Sequence, residues 1–118
     1  PVEIFLMSTL RSIDFSSVLL FGPFPAEFSL LTALEHLDLK NCFFSGTIPT
    51  EFGFLTEMRS LNLFRNAPLS GTIPTELGLL TNMETLILAL NDFSMSIPTE
   101  LGNLSSLLEL QLGENDLT

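Results

Sequence analysis

The residues best suited to chemistry in this sequence surround His36, its only histidine. Ser12, Asp14 and Asp38 are its candidate companions in a catalytic triad. Such a triad needs a base that lies between a nucleophile and an orienting acid. All of them fall on short segments that we expect to be exposed strands. An open strand surface offers no pocket that excludes water, so we predict no catalytic site.

Metal binding and thiol chemistry are also poorly supported. One histidine, one cysteine and scattered carboxylates do not make a structural zinc ligand set. Cys42 is the sole cysteine, so an internal disulfide is excluded. A reactive thiol is the functional alternative, but Cys42 stands in a repeated column that favours a small buried residue. We therefore expect no metal and no cofactor.

The charge balance argues against a nucleic-acid-binding protein. The chain has 14 Asp and Glu against 4 Lys and Arg, a formal net charge of −10, whereas nucleic acid requires basic patches. It is 46% hydrophobic, yet no apolar run approaches the roughly 20 residues of a spanning helix, so we expect no membrane insertion by this segment. Five acids recur at one place in the repeat and predict a solvated convex column: Glu3, Glu27, Glu51, Glu76 and Glu100.

A repeat organises the whole sequence. Ile-Pro-Thr-Glu stands at 48–51, 73–76 and 97–100, spaced 25 and 24 residues apart. A period of this length is typical of solenoids, which usually bind partners rather than catalyse reactions. Counted from the first Leu or Met of each unit, a single array covers the chain, with units 1–9 (partial), 10–33, 34–57, 58–82, 83–106 and 107–118 (partial). Because both ends fall inside units, we expect an internal segment of a longer protein.

Positions four and six of each unit are apolar and alternate with polar residues, which is the periodicity of a strand. The predicted strands lie at 12–15, 36–39, 60–63, 85–88 and 109–112. Successive coils run in the same direction, so these strands should pair in parallel, about 4.8 Å apart. Positions one, four, six and eleven should form the core, which no unit can bury alone. The predicted fold class is an α/β solenoid.

Position nine calls for a side chain that bonds backbone groups inside the turn. Asn66, Asn91 and Asn115 suit this, because an amide both donates and accepts. Cys42 is a known variant at this position, whereas Val18 cannot make such bonds, so the first full unit should be the least regular.

Proline and glycine recur at set places in the return segments of the units. Proline fixes φ and lacks a donor, so we expect a return segment to start at each of Pro49, Pro74 and Pro98. Glycine should supply backbone freedom where the chain turns over the convex side, at Gly53, Gly78 and Gly102.

The run from Leu-x-x-Leu-x-Leu through Ser-Gly-x-Ile-Pro-x-Glu-Leu-Gly closely resembles the plant-specific class of leucine-rich repeat, along the whole chain. This resemblance implies a horseshoe with short parallel concave strands, irregular or 3-10 convex segments, and an extra short strand at the Ser-Gly-x-Ile-Pro step. It further implies a place in receptor-like kinases, receptor-like proteins or polygalacturonase-inhibiting proteins, which bind peptides, small hormones or proteins. The chain departs from the family where Met95 replaces the usual glycine, where Phe21-Gly22-Pro23 replaces Ser-Gly-Thr, and in lacking the N-terminal cap with its cysteines and Trp.

Ligand specificity should lie in the concave positions three, five, seven and eight, which vary among units while the core positions do not. A first candidate patch is acidic and polar and comprises Asp14, Ser16, His36, Asp38 and Lys40. Asp14 and Asp38 should be neighbours on adjacent strands, where like charges repel and would accept a basic group or cation. Alternatively, both are simply hydrated and screened by Lys40.

A second candidate patch is apolar and comprises Phe64, Ile87, Ala89 and Leu90, with Arg65 as a cationic rim. Exposed apolar clusters with an aromatic residue and an arginine resemble the energetic centres of protein interfaces. The alternatives are a local shift that turns Leu90 inward, or chance hydrophobicity.

The predicted function is recognition of a protein or peptide through the concave face of a receptor-like, cell-surface ectodomain. Two alternatives are a secreted inhibitor or adhesion scaffold, and the non-catalytic part of a receptor kinase. Asn103-Leu104-Ser105 is a candidate glycosylation sequon that fits an extracellular protein.

Overall fold

Short strands and 3-10 helices alternate along the residues that the computed structural model describes, 2–118. Pro1, which the repeat count places in the first partial unit, lies outside the described residues. The strands are β1 (Ser12–Asp14), β2 (Gly22–Pro23), β3 (His36–Asp38), β4 (Phe44–Ser45), β5 (Ser60–Asn62), β6 (Ser70–Gly71), β7 (Thr85–Ile87), β8 (Asp92–Met95), β9 (Glu109–Gln111) and β10 (Asp116–Leu117). The 3-10 helices are Val2–Leu6, Ala26–Leu30, Thr50–Phe54, Thr75–Leu79 and Thr99–Asn103.

The odd-numbered strands form one five-stranded parallel sheet in the order β1-β3-β5-β7-β9, which we call the concave sheet. Their central residues are in register, so a column of apolar side chains runs beneath the sheet: Ile13, Leu37, Leu61, Leu86 and Leu110. The backbone ladder continues beyond the strands, since Leu39 N–H donates to Asn62 C=O and Asn41 N–H donates to Phe64 C=O, both at 2.9 Å. The predicted parallel strands are confirmed, and each ends one residue earlier than expected.

The even-numbered strands form the additional sheets implied by the Ser-Gly-x-Ile-Pro step. β2 pairs with β4, while β6, β8 and β10 form a second parallel sheet. Between the two, pairing is reduced to a single parallel bridge from Gly46 to Leu69. This break falls at the unit that carries one extra residue near Pro68, which lacks the N–H that a sheet ladder needs.

Leucine columns and buried asparagines fill the space between the sheets and the convex side. Leu37, Leu61 and Leu86 are 1%, 0% and 0% exposed, so the central coils form a continuous core. Leu110, expected in the same column, is 44% exposed because its coil has a packed neighbour on one side only. Burial of each leucine contributes about 1.5–3 kcal/mol, which makes these columns the main stabilising contribution.

The position-nine amides bond the turns as predicted. Asn66 Oδ1 accepts from Cys42 N–H at 3.1 Å and from Phe44 N–H at 3.3 Å. Its Nδ2 donates to Leu39 C=O at 2.8 Å and to Leu63 C=O at 3.1 Å. Asn91 and Asn115 make the same kinds of bonds one and two coils further along.

The first full unit lacks the buried amide of the later units, because Val18 offers no such bonds. Val18 is 45% exposed, whereas Asn66 at the equivalent place is fully buried. Its N–H donates locally, to Phe15 C=O at 3.0 Å, and Leu20 N–H donates to Val18 C=O at 2.8 Å.

Each convex 3-10 helix after the first is immediately preceded by a proline, as expected. Pro25, Pro49, Pro74 and Pro98 have φ values of −69°, −64°, −63° and −59°. The role predicted for the convex glycines was wrong, because Gly53, Gly78 and Gly102 do not adopt positive φ. Gly53 and Gly78 provide space instead: a Cβ on Gly53 would lie 2.9 Å from Glu76 Cβ, and one on Gly78 would collide with the Glu100 carbonyl. A Cβ on Gly102 would meet no atom within 4 Å.

Candidate ligand-binding face

Two columns of outward-facing side chains cross the concave sheet in register. The position-three column is Ser12, His36, Ser60, Thr85 and Glu109. The position-five column is Asp14, Asp38, Asn62, Ile87 and Gln111. Within a column, neighbouring side chains are separated by one strand spacing, about 4.8 Å. The position-five column therefore changes from acidic at β1 and β3 to apolar at β7.

The acidic end of this column is held by backbone hydrogen bonds. Asp14 Oδ1 accepts from Ser16 N–H at 2.8 Å, and Asp38 Oδ1 accepts from Lys40 N–H at 3.0 Å. Asp38 Oδ2 also accepts from Asn62 Nδ2 at 3.0 Å. The hydrogen bonds from Ser16, with a smaller contribution from the Lys40 charge, hold the pKa of Asp14 below its ordinary value. Asp14 is therefore ionised at neutral pH.

Lys40 does not neutralise these carboxylates by direct pairing. No ion pair within residues 2–118 joins Lys40 to Asp14 or Asp38. The backbone of Lys40, rather than its ammonium group, contacts Asp38. The first candidate patch therefore retains negative charge that is not directly paired.

The histidine and cysteine do not assemble a reactive centre. His36 is exposed beside Ser12 and Ser60, and its ring makes no hydrogen bond within the described residues. Cys42 is fully buried, and its Sγ donates to Phe15 C=O at 3.0 Å. Burial raises the pKa of the Cys42 thiol above its ordinary value. No group of three His, Cys, Asp or Glu side chains in the described part of the chain is arranged to hold a metal ion.

The second candidate patch is smaller than predicted. Phe64 and Ile87 are partly exposed and Leu90 is 37% exposed, but Ala89, which we expected to be exposed, is only 8% exposed. Ala89 C=O accepts from Arg65 N–H at 3.0 Å, so its backbone lies within the ladder and its single-carbon side chain projects little beyond it. The apolar surface is therefore Phe64, Ile87 and Leu90, which we call the apolar shelf.

Position eight is a turn rather than part of the strand face. Residues there adopt left-handed backbone conformations, with φ between 55° and 62°: Ser17, Asn41, Arg65, Leu90 and Glu114. Arg65 is exposed and makes no ion pair within the described chain. Leu90 is not turned inward, but it occupies a conformation that costs a branched side chain about 1–2 kcal/mol.

A ladder of alternating charges borders the concave sheet, and our sequence reasoning missed it. Arg11 Nη1 lies 2.8 Å from Glu35 Oε1, and Arg59 lies 3.8 Å from Glu35 Oε2 and 2.7 Å from Glu84 Oε1. All four residues occupy position two of their units. The alternation Arg, Glu, Arg, Glu at that position could have predicted the ladder from the sequence. The ladder pairs two of the chain's four basic residues.

Two grooves among residues 2–118 lie away from the concave sheet. One of about 660 Å³ runs along the repeated Thr-Ile-Pro-Thr-Glu segments. Its lining is nearly the same in each unit, so it belongs to the scaffold rather than to a specific site. A second, apolar groove of about 550 Å³ lies at the first coils, between Phe5, Phe15 and Phe28. The candidate glycosylation residue, Asn103, is exposed on the last convex 3-10 helix.

No helix in the described residues is both long enough and apolar enough to cross a membrane. A leucine-rich repeat family model matches residues 33–55. Among curated proteins, no sequence matches the chain significantly.

Solved structures of plant proteins match nearly the whole chain. The plant peptide hormone receptor RGFR1 in complex with RGF2 is 30% identical, with a TM-score of 0.95 over 99% of this chain. The Arabidopsis receptor kinase HAESA, in complex with the peptide hormone IDA and the co-receptor SERK1, is 31% identical, with a TM-score of 0.92 over 99%. A plant ice-binding protein is 30% identical, with a TM-score of 0.87 over 99%. The chain spans 19%, 20% and 38% of these three proteins respectively.

The segment is a repeat scaffold and not an enzyme. Because receptors and an ice-binding protein share this backbone, the fold alone does not specify a ligand. The repeat signature, the stacked parallel strands and the solved structures show that the chain is a leucine-rich repeat solenoid, similar to plant receptor ectodomains.

Proposed function

We propose that this segment recognises a peptide or protein ligand through the outward face of its concave sheet, as part of a receptor-like extracellular protein. The observation that carries this proposal is the contrast between two neighbouring columns. The column at position four is aliphatic throughout and buried from Ile13 to Leu86, whereas the column at position five runs from Asp14 through Asn62 to Ile87 in register. A uniform core beneath a varied surface is the layout of a scaffold that carries a separate specificity site.

The solved relatives support the same class of function. HAESA binds a peptide hormone together with a co-receptor, and RGFR1 binds RGF2. A secreted inhibitor or adhesion scaffold, and the non-catalytic part of a receptor kinase, would use the same face. The complete reading frame separates these alternatives: a membrane span followed by kinase motifs selects a receptor kinase, and a stop codon after a C-terminal cap selects a secreted scaffold.

The proposal is tested by selecting ligands from a displayed library of random peptides with the wild-type chain, then measuring their affinities for two variants. Ile87→Ser removes one of the three side chains of the apolar shelf, and we expect it to weaken binding at least tenfold. Leu79→Ser is the matched control, because Leu79 is an apolar residue 60% exposed on a convex 3-10 helix. Thermal unfolding of both variants identifies any loss of fold. Ligands that bind wild type and Ile87→Ser equally well would refute recognition at this face.

We also propose an extracellular or cell-surface location with N-glycosylation at Asn103. The exposed side chain on a convex helix leaves room for a glycan without covering the concave sheet. Expression through a plant secretory pathway should yield a mass increase that a glycosidase removes and that Asn103→Gln abolishes. An unmodified secreted chain would contradict the assignment.

A further inference from the structure

A stripe of large apolar side chains runs along the convex side of the coils. It consists of the fifth and last residue of each of the first four convex 3-10 helices, each at least 60% exposed: Leu6, Leu30, Phe54 and Leu79. The last convex helix has Asn103 at the same place, so the stripe ends there. We call these four residues the convex column.

A carboxylate lies beside each member of the convex column. The second residue of every convex helix is a glutamate: Glu3, Glu27, Glu51, Glu76 and Glu100. A 3-10 helix has three residues per turn, so its second and fifth side chains point the same way, about 6 Å apart. The structure shows this directly at one place: a Cβ on Gly53 would lie 2.9 Å from Glu76 Cβ and 3.3 Å from Leu79 Cδ1 of the next coil. An acidic column and an apolar column therefore run side by side.

The surrounding chain does not neutralise these glutamates. None of the five forms an ion pair within residues 2–118. Glu51, Glu76 and Glu100 each accept a hydrogen bond from the hydroxyl of the preceding threonine, at 3.4, 3.3 and 3.5 Å, which supplies no positive charge. Like charges on successive coils repel one another, and a cationic partner would relieve this repulsion.

The convex column is not needed to fill the core. The third residue of the same helices points inward and is buried, as at Phe28, Phe52 and Leu77. The convex column is therefore additional apolar surface in contact with water. A contiguous exposed apolar surface is typical of an interaction site, and covering it gains free energy because water is excluded.

Charge complementarity decides which kind of partner covers this surface. A second copy of the chain would bring glutamates against glutamates, and two chains of formal net charge −10 repel each other. An anionic membrane surface is repelled for the same reason. A partner that presents apolar and basic side chains next to each other is attracted by both columns.

The shape of the convex side favours a helical partner. Extended peptides bind by adding a strand to a sheet edge, and the convex 3-10 helices among residues 2–118 present no such edge. An α-helix satisfies its own backbone groups, and its apolar side chains at i, i+3 or i+4, and i+7 recur about every 5.4 Å along its axis. The coils repeat about every 4.8 Å at the concave sheet and more widely on the outside of a horseshoe. Successive turns of a helix can therefore meet successive members of the convex column.

We propose that the convex side binds a basic amphipathic α-helix of a partner protein, which lies across the coils. The apolar stripe of this helix covers Leu30, Phe54 and Leu79. Lys or Arg side chains along one flank of the helix lie over Glu51 and Glu76. This surface is on the opposite side from the concave sheet, so the inference goes beyond the proposed function and does not depend on it.

The probe is a labelled synthetic helical peptide of about 18 residues, with Leu along one face at the spacing above and Lys along one flank. Its binding to the 118-residue chain is followed by fluorescence anisotropy. One matched peptide carries Glu in place of Lys, and another has the same composition in an order that leaves no apolar face. We expect the Lys peptide to bind at least tenfold more tightly than either matched peptide.

Substitutions in the convex column test its apolar contribution. Phe54→Ser and, separately, Leu79→Ser should each weaken binding of the Lys peptide about fivefold or more. Leu19→Ser is the matched control, because Leu19 is 70% exposed and lies outside the convex helices. This control should leave the affinity unchanged. Thermal unfolding of each variant identifies any loss of fold.

Paired glutamine substitutions test the acidic contribution. Glu51→Gln combined with Glu76→Gln should weaken binding about two- to tenfold at low salt, and the effect should shrink in high salt. Glu109→Gln combined with Glu114→Gln changes the net charge equally, at exposed residues outside the convex helices. This second pair should have a smaller effect, because it removes only long-range attraction.

Three results would overturn the inference: no binding of the Lys peptide, equal binding of a matched peptide, or equal losses in Phe54→Ser and Leu19→Ser. Two other occupants are tested without the peptide. A dimer of the chain in sedimentation experiments that Phe54→Ser dissociates would assign the convex column to self-association. Binding to phosphatidylcholine vesicles that Phe54→Ser abolishes would assign it to a lipid surface. Either of these results would also overturn the inference.

Discussion

Removal of the small Asn66 side chain should cause a large loss in the free energy of unfolding. It is fully buried, and its amide bridges two successive coils: Oδ1 accepts from Cys42 and Phe44, while Nδ2 donates to Leu39 and Leu63. Asn66→Ala removes the whole amide, so the backbone groups bonded to it lose these bonds and gain no replacement. We expect a large loss of stability without a change of fold.

The magnitude follows from the groups that lose their side-chain partner. The N–H groups of Cys42 and Phe44 lose an acceptor, and Leu39 C=O loses a donor. Leu63 C=O retains its bond from Asn91 Nδ2 at 2.9 Å. Each buried polar group left without a partner costs about 1–3 kcal/mol, so three such groups cost at least about 3 kcal/mol. That is a large share of the roughly 5–15 kcal/mol that stabilises a typical domain.

The measurement is urea unfolding of the 118-residue chain followed by circular dichroism, with thermal unfolding as a second probe. We expect the free energy of unfolding to fall by at least about 3 kcal/mol and the melting temperature by roughly 10 °C or more. Asn82→Ala is the matched control, because Asn82 is exposed and makes one side-chain bond, to Thr56 C=O at 2.9 Å. This control should lose less than about 1 kcal/mol.

Equal losses in the two variants would refute the reasoning, because the burial of Asn66 and its bonds to neighbouring coils would then have no energetic consequence. A large loss accompanied by a lower slope of free energy against urea would instead indicate that the coils no longer unfold together.

Three further predictions concern backbone strain, surface charge and the thiol. Met95 has a φ of 70° at the place where other units have Gly46 or Gly71, and its side chain is 64% exposed. Met95→Gly should therefore raise the free energy of unfolding by about 0.5–1 kcal/mol, whereas Ser96→Gly should lower it. Leu108 occupies position two of the unit after Glu84 and is 85% exposed. Leu108→Arg should extend the charge ladder and raise the free energy of unfolding by up to about 1 kcal/mol at low salt, with no gain in high salt. Burial raises the pKa of the Cys42 thiol above its ordinary value, so the stability that the buried thiol contributes is present below that ordinary pKa and is lost as pH rises through the folded-state pKa. Alkylation of Cys42 should be slow in the native chain and fast in denaturant, and equal rates would contradict its burial.

Much of the fold could be predicted because each unit repeats the same local pattern. The alternation at positions four and six identified the five concave strands, and the amide at position nine identified the buried turn bonds of Asn66 and Asn91. Both features follow from a residue's place within its own unit. The strand pattern occurs in five units and the amide in three, so each prediction rests on several copies.

The errors occurred where a residue's environment depends on the neighbouring coil. Ala89 was predicted to be exposed, but its backbone is hydrogen-bonded to the adjacent coil and its short side chain projects little beyond it. Gly53 and Gly78 were assigned backbone freedom, whereas the side chain or carbonyl of the next coil leaves no room for a Cβ. The charge ladder through Arg59 was missed for the same reason, since its partners are 24 and 25 residues away in sequence.

Hydrophobic periodicity and repeat length were enough to predict a solenoid of parallel coils with a leucine core, because they leave few other ways to bury the apolar side of the chain. Which side chains share a surface depends on how the coils stack, and this became visible in the folded chain. Stacking brings Asp14 beside Asp38 and places Ile87 two strands beyond Asp38, in one column, through hydrogen bonds between coils that no single unit contains. The candidate ligand site is a property of that stacking, so its spacing could be measured only after the register between coils was known.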